Sequence, residues 1–484
     1  MARLLTRTTL LAVVAAIPIT LASPAGAAPG SPTPGAPGVG DRLFPDLGNG
    51  GFDVLHYDIS LDYDPAAKTF AASTVVTARA TRSLSRFDLD FDGNTIRSVA
   101  VNRRSAAYTR SESELVITPN RPLRRGTTFT VKVGYTGNPN DDYKHGAWIP
   151  APDGGFVVAG QPDDERSVYP CSDHPTDKAS YAFHLTAPDG WQTAANGVQV
   201  RTRSHGGKTT TDYVEKEPLA SELVEVSVGK FSVVTGTGPH GLPIRSVVPT
   251  AELARYGPIA AKSGDHVAWM EQQVGRRYPF GEYGVQISDA SFGFALENQT
   301  LSLFTKSWFV DRAGNDRPES YYGPVMVHEL AHQWFGDSVS PSDWQDVWLN
   351  EGHATWYEAQ YADAKGYASF VDRMKDAYRQ GDKWRKDDGP VAGPSVKTMW
   401  NDNVYDGGAL VLYALYQTVG AKTYYDIERA WLDRYHSRNA STRDWINLVS
   451  RVSHRDLHQF LSNWLYGTRT PPMPGHPDWT VDPA

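Results

Sequence analysis

Between residues 51 and about 231 apolar and polar residues alternate, which is the period of a strand with one buried face, so this stretch can form a core only as a β-sheet. Leu55, Tyr57, Ile59, Leu61 and Tyr63 carry the pattern first. Phe87, Leu89 and Phe91 repeat it, as do Phe129, Val131, Val133 and Tyr135, and Val224, Val226 and Val228 close the series. Asp92-Gly93-Asn94 and Gly137-Asn138-Pro139 supply turns between strands. The pattern predicts an antiparallel β domain of the sandwich kind. Near residue 240 the period changes: Val267, Met270, Glu271 and Val274 recur at helical spacing within 251–276. Strands are expected near 283–288 and 301–304, then a helix ending near Gly336, a glycine suited to the left-handed position after a helix. A second helix is expected over about 349–365, stopping at Gly366, and the chain after about 395 reads as wholly helical. The expected fold is α+β and multidomain, with a β domain over 46–237 and a second domain over 238–484.

The first 27 residues stand outside that fold. Arg3 and Arg7, an apolar run over 10–21 broken by Pro18, and Ala25-Gly26-Ala27 read as a secretory signal cleaved after Ala27. Residues 28–45, with PGSPTPGAPG at 29–38, read as a flexible leader. Loss of Arg3 and Arg7 takes the formal charge from −8 to −10, and the chain has no basic cluster, which argues against nucleic acid or anionic membrane as partners. No later run has the length of a transmembrane helix, so a soluble, secreted monomer is expected. Cys171 is the only cysteine, which excludes an internal disulfide and reads as a small buried hydrophobe.

His328-Glu329-Leu330-Ala331-His332 carries the chemistry. On a helix His328 and His332 stand one turn apart on one face, where both imidazoles can share a metal ion. Glu329 sits beside the first of them, placed to take a proton from an activated water. Glu351, in Trp348-Leu349-Asn350-Glu351-Gly352, comes eighteen residues after His332 and can return on a second helix as the third ligand. The pattern is that of one catalytic Zn²⁺.

These residues resemble the M1 family of zinc aminopeptidases, gluzincins related to leukotriene A4 hydrolase. The resemblance rests on the stretch 328–337 (HELAHQWFGD) and on Trp348-Leu349-Asn350-Glu351-Gly352, and covers about residues 46–470. It implies a thermolysin-like catalytic domain after the β domain, His328, His332 and Glu351 as zinc ligands, and Glu329 as general base. Phe294-Ala295-Leu296-Glu297-Asn298 is similar to the family's Gly-x-Met-Glu-Asn signature, with Phe294 for glycine and Leu296 for methionine. That similarity implies Glu297 and Asn298 as substrate-binding residues, with Glu297 pairing with the free α-amino group; a desolvated ammonium needs such a charged partner. Tyr169-Pro170-Cys171-Ser172-Asp173 resembles another family segment and brings Gln161 to the position that enters the substrate site. Val404-Tyr405-Asp406-Gly407-Gly408-Ala409 is similar to the family's Tyr-x-Lys-Gly-Ala motif, Gly407 replacing lysine, and implies Tyr405 as the donor to a developing oxyanion. His353 stands where phenylalanine is usual and, two residues past Glu351, is expected to face away from the metal. The sequence is expected to represent a short form without the long C-terminal helical domain of larger members.

The reading that results is a secreted zinc aminopeptidase that hydrolyses the first peptide bond of peptides with a free N-terminus. The alternatives are a zinc endopeptidase of the thermolysin type, an epoxide hydrolase using the same metal, and an exported binding protein that retains the site without turnover.

Overall fold

The computed structural model describes residues 31–111, 113–141 and 146–483. The signal expected over residues 1–27 lies outside the described residues. From Pro32 on, the chain is one compact unit with two large hydrophobic cores.

The first core lies among β-sheets. Eight strands are hydrogen-bonded in the order Val198–His205, Lys208–Leu219, Ala179–Pro188, Phe52–Asp64, Thr69–Ala80, Thr128–Gly137, Thr95–Val101 and Arg104–Ser105. Two four-stranded sheets, one holding Leu84–Asp90 and Glu114–Thr118, the other Phe156–Val158 and Val226–Gly229, contribute to the same core. The alternation reads out as burial: Tyr57, Ile59, Leu61 and Tyr63 are buried, as are Phe129, Val131, Val133 and Tyr135. Each such side chain contributes roughly 1.5–3 kcal/mol by leaving water. Leu55 is the exception. The register shifts between Val54 and His56, and this bulge turns Val54 inward in its place.

Two expectations for this half are corrected. Ala179–Pro188 pairs with Phe52–Asp64 in parallel, so the large sheet is not wholly antiparallel. More than a hundred residues separate the two strands, and side-chain alternation fixes which face is buried but not strand direction. The flexible leader is docked where it is described: Thr33–Pro34 pairs with Leu84–Asp90, and Leu47 is buried in the second core. An extended proline-containing segment can occupy a sheet edge, where its missing N–H leaves no partner unmatched. Asp41 then ties this segment inward, lying 3.2 Å from His174 Nε2 and accepting from the Trp344 amide at 2.7 Å.

The second core gathers a five-stranded sheet and helices. The strand order is Phe231–Thr237, Pro243–Pro249, Gly284–Ser288, Leu301–Thr305 and Ala295–Leu296, the last being an outer strand. Among the described residues the helices are α1 (Leu253–Ala260), α2 (Ser263–Val274), α3 (Glu319–His332), α4 (Trp348–Ala364), α5 (Phe370–Asp388), α6 (Asp402–Val419), α7 (Ala421–Tyr435), α8 (Thr442–Ser453) and α9 (His458–Tyr466). None is long and apolar enough to cross a membrane. The last segment is not wholly helical, since Arg438–Ala440 pairs in parallel with Val339–Pro341; three residues are too few to show a period in sequence. The architecture is α+β, a β-rich N-terminal half followed by a helical half.

Helix α3 ends at His332 rather than near Gly336. The chain turns at once through Trp334 and Phe335, and Gly336 takes φ 144°, outside the left-handed helical well. Glycine is favoured there by its positive φ, and a Cβ would also stand close, 3.3 Å from Asn350 Nδ2 and 3.4 Å from His332 Nδ1. A second close approach sets the frame of the site. A Cβ on Gly352 of α4 would meet Gly408 Cα at 3.0 Å, and one on Gly408 would meet Gly352 Cα at 2.9 Å. Helices α4 and α6 therefore cross backbone to backbone, which brings the residues at their first turns, Glu351 and Tyr405, into one cavity.

Candidate active site

Helix α3 is buried on every side over its last turns, so its two imidazoles leave water with their partners already set. His328 Nδ1 lies 3.1 Å from Glu358 Oε2, and a carboxylate can only accept, so this nitrogen carries a proton. His332 Nδ1 likewise donates to the Phe335 carbonyl at 3.2 Å. Both rings then turn Nε2 towards Glu351, whose Oε2 lies 3.3 Å from His328 Nε2 and 3.4 Å from His332 Nε2. One ligand atom from each of the three residues falls within 4.8 Å of the others.

The electrostatics of this cluster fit a cation. Burial alone would raise the Glu351 carboxyl, but the facing imidazoles hold it down at about 2, so it stays ionised. Burial would likewise lower the His328 pKa, yet Glu351 and Glu358 raise it to about 9, a site that favours positive charge. Two imidazoles, one carboxylate and a carboxylate-to-histidine second contact form the donor set of a catalytic zinc ion.

Glu358 is a functional residue that the sequence reading missed. It lies seven residues after Glu351, two helical turns on the same face of α4, and that spacing was its available signal. Its Oε1 pairs with Arg373 at 3.0 Å, and Arg373 Nε donates to Asp406 Oδ1 at 2.7 Å. The chain His328, Glu358, Arg373, Asp406 thus joins α3, α4, α5 and α6 around the metal position. Replacing Glu358 by Gln is expected to weaken zinc binding about 10- to 100-fold. Competition with a chromogenic chelator measures this directly; unchanged affinity would mean that Glu358 serves only Arg373.

The remaining candidates fall as follows. Glu329 lines the cavity, and burial raises its carboxyl to about 8, a group held near the point of proton exchange. Tyr405 lies against His328 with ring centroids 6.0 Å apart, and burial, with Glu351 beside it, raises its phenol well above the ordinary value, so it is a proton-bearing donor. Glu297 is buried, and ligand atoms of Glu297, Glu329 and His332 lie within 4.8 Å of one another. Gln161 Nε2 donates to Glu297 Oε1 at 2.8 Å, so the β-rich half does reach into the site. These residues, with Phe294, Ala295 and Trp308 among others, line one cavity of about 310 Å³.

Asn298 is placed otherwise. It is fully buried, its Nδ2 donates to Glu225 Oε2 at 2.6 Å, and it does not line the cavity. It belongs to a set of bonds that fix Glu297 from both sides. Gln333 Nε2 donates to the Glu297 carbonyl at 2.9 Å while Gln333 Oε1 accepts from Thr300 N at 2.9 Å. Asn196 Nδ2 donates to the Gln299 carbonyl at 2.7 Å, and Gly197 N donates to Thr300 Oγ1 at 2.7 Å. Gln333, one residue past the second metal histidine, was the other positioning residue not foreseen. His353 faces away from the metal, stacked on Phe335 at 4.4 Å with its Nε2 3.2 Å from Glu428. Cys171 is fully buried and burial raises its thiol well above the usual value, in keeping with a packing role.

Comparison with known proteins agrees with this geometry. The Peptidase M1 N-terminal domain matches residues 54–223, and the Peptidase family M1 domain matches residues 261–464. Aminopeptidase M1-B of Oryza sativa subsp. japonica is 25% identical over 442 residues, covering 85% of this chain and 49% of that protein. Aminopeptidase N of Streptomyces lividans is 24% identical over 441 residues, covering 85% and 50%. The chain thus spans about half the length of these curated relatives. The crystal structure of an M1 zinc metallopeptidase from Deinococcus radiodurans superposes with a TM-score of 0.79 at 26% identity, covering 90% of this chain and 99% of that one. A variant of the same protein has been solved with a Tyr-Ser-Ala substrate, again at a TM-score of 0.79. Two matched domains in family order, one fold along nearly the whole of a solved relative, and a three-ligand metal cluster on α3 and α4 lead to one conclusion: the chain belongs to peptidase family M1.

Proposed function

We propose that the protein is a zinc-dependent aminopeptidase that hydrolyses the first peptide bond of peptides bearing a free N-terminus. The observation that carries this reading is Glu297, a buried carboxylate fastened by Gln161 and Gln333 within ligand distance of Glu329 and His332. An ammonium group is the substrate feature that such a carboxylate rewards, because an unpaired buried charge is costly. His328, His332 and Glu351 hold the zinc ion, which when bound supplies Lewis acidity towards water and the scissile carbonyl.

The protein's own groups do the rest. Glu329 accepts a proton from the attacking water as its oxygen bonds to the carbonyl carbon. The same carboxyl then delivers that proton to the nitrogen of the breaking C–N bond, so the new N-terminus leaves as a neutral amine. The Tyr405 hydroxyl donates to the carbonyl oxygen as negative charge grows there. Glu297 and Gln161 hold the ammonium and so set the register at one residue.

A panel of aminoacyl anilides and peptides, each with free and N-acetylated termini and with and without chelator, tests the reading. The free-amine substrates should turn over and the acetylated ones should not, with Glu297→Ala lowering kcat/KM on free amines by about 10²-fold or more. Cleavage of acetylated but not free peptides would assign an endopeptidase instead. Export is proposed on the composition of residues 1–27, and a monomer because the site is complete within one chain. Protein recovered from the culture medium should begin after Ala27 and elute at monomer size; retention in the cytoplasm with an intact N-terminus would remove the export proposal.

A further inference from the structure

The segment that presents Glu297 is open in one direction only. Asn298, Gln299 and Thr300 are fully buried, whereas Phe294 is 45% exposed and nothing stands within 4 Å of a Cβ placed on Gly293. Ala295–Leu296 is an outer strand of its sheet, so its free edge can bond to an extended peptide backbone. A peptide whose ammonium sits at Glu297 therefore leaves along this edge towards Gly293. At about 3.3 Å per residue, the four positions from Glu297 to Gly293 match three or four substrate residues.

At Gly293 a second cavity begins. It has a volume of about 600 Å³ and shares Gly293 and Trp308 with the catalytic cavity. Four basic and three acidic side chains line it, and the acidic ones are already engaged. Glu252 lies 3.3 Å from Arg255, which also meets Asp316 at 3.0 Å. Asp289 lies 3.3 Å from Lys306. Asp311 accepts from the amides of Ala313 at 2.8 Å and Asn315 at 2.9 Å, closing its own turn. Arg312 and Arg317 remain, with no carboxylate within 4.0 Å among the described residues, although Asp311 feels the charge of Arg317 from further off. Arg317 is nevertheless fixed: its guanidinium lies 4.1 Å over the Tyr321 ring and its Nε donates to the Ser307 carbonyl at 3.1 Å. A planar guanidinium held in place by stacking is preorganised to bind a carboxylate.

We propose that this cleft binds a carboxylate on the third or fourth residue of the substrate, which makes the enzyme selective for short peptides through their C-terminus or for longer ones with an acidic side chain there. The proposal rests on the aminopeptidase reading above. Arg317 is the fixed contact and the exposed Arg312 the second. Neither touches the scissile bond, so their contribution falls on KM.

The test uses one tetrapeptide as its free acid, as its C-terminal amide, and as an amide with Glu at the third or fourth position, together with an aminoacyl anilide too short to reach the cleft. The wild-type protein should hydrolyse the free acid with a kcat/KM about tenfold above that of the plain amide, through KM, and 0.5 M NaCl should narrow the gap. Recovery by the Glu-bearing amide would show that the cleft reads a carboxylate from either source; failure to recover would restrict it to the chain end. The acid-to-amide ratio should fall towards one in Arg317→Gln and in the combined Arg312→Gln/Arg317→Gln protein, and Arg317→Lys should retain part of it. The ratio is taken within each protein, so a general loss of activity cancels, and the exposed Arg312→Gln alone should lower it even if the Arg317 variants do not fold. Anilide hydrolysis by the wild type with equal rates on acid and amide, or a ratio that survives the double substitution, overturns the cleft assignment alone. Failure of the wild type on every free-amine substrate overturns the aminopeptidase reading, and the cleft assignment with it.

Discussion

Glu329→Gln is expected to lower kcat by roughly 10³-fold or more while zinc stays bound. The two side chains are nearly isosteric, and the ligand cluster of His328, His332 and Glu351 lies on other atoms, so metal content by atomic absorption should match the wild type. What is lost is the ability to hold a proton between two steps. The amide oxygen of glutamine can accept a hydrogen bond from the attacking water but cannot take up its proton, so it has nothing to pass to the leaving nitrogen. Near wild-type turnover in a zinc-replete variant would show that another group moves the proton. Glu297 is the neighbour to examine first, since its carboxylate lies within ligand distance of Glu329.

Tyr405→Phe should cost about 10²- to 10³-fold in kcat with KM little changed, the mark of a donor that acts on the transition state rather than on the bound substrate. The ring stack on His328, at 6.0 Å between centroids, is kept by phenylalanine, so the loss isolates the hydroxyl. A rise in KM at constant kcat would instead make Tyr405 a substrate-positioning residue. Thermal unfolding of the variant within about 2 °C of the wild type would confirm that packing around α6 is intact.

Much of this molecule is legible in its sequence, and the parts that are not share a physical origin. The buried strands of the first half are marked by alternation, as Tyr57, Ile59, Leu61 and Tyr63 show, because each residue reports its own face. Leu55 misleads, since a bulge changes the register without changing the composition. The parallel pairing of Ala179–Pro188 with Phe52–Asp64 is equally silent, being a relation between strands rather than a property of either. At the site, the metal ligands lie at fixed spacing along α3 and α4, so local geometry suffices to suggest them. Gln161 is suggested only by the resemblance of the segment around Pro170-Cys171, while Glu358 and Gln333 act through partners distant in sequence, and of these two Glu358 alone leaves a local sign in its helical spacing from Glu351. The cleft of Arg312 and Arg317 has no motif, because the loops that line it are unremarkable until folded beside Gly293.

The crossing of α4 and α6 at Gly352 and Gly408 has a consequence for how the molecule matures. The groups around the metal position come from residues 161, 297, 328–332, 351 and 405, so Tyr405 leaves the ribosome last. The β core can condense before α3 emerges, and the ligand cluster can form before α6 is made. A glycine-to-glycine crossing has no side chains to interlock halfway: the two backbones are either in contact or apart. Tyr405 follows the last metal ligand, Glu351, by 54 residues, so the hydroxyl that completes the site is the last of these groups to be made. Because Gly352 and Gly408 meet backbone to backbone, a side chain added at either would part α4 from α6 and with them Glu351 from Tyr405.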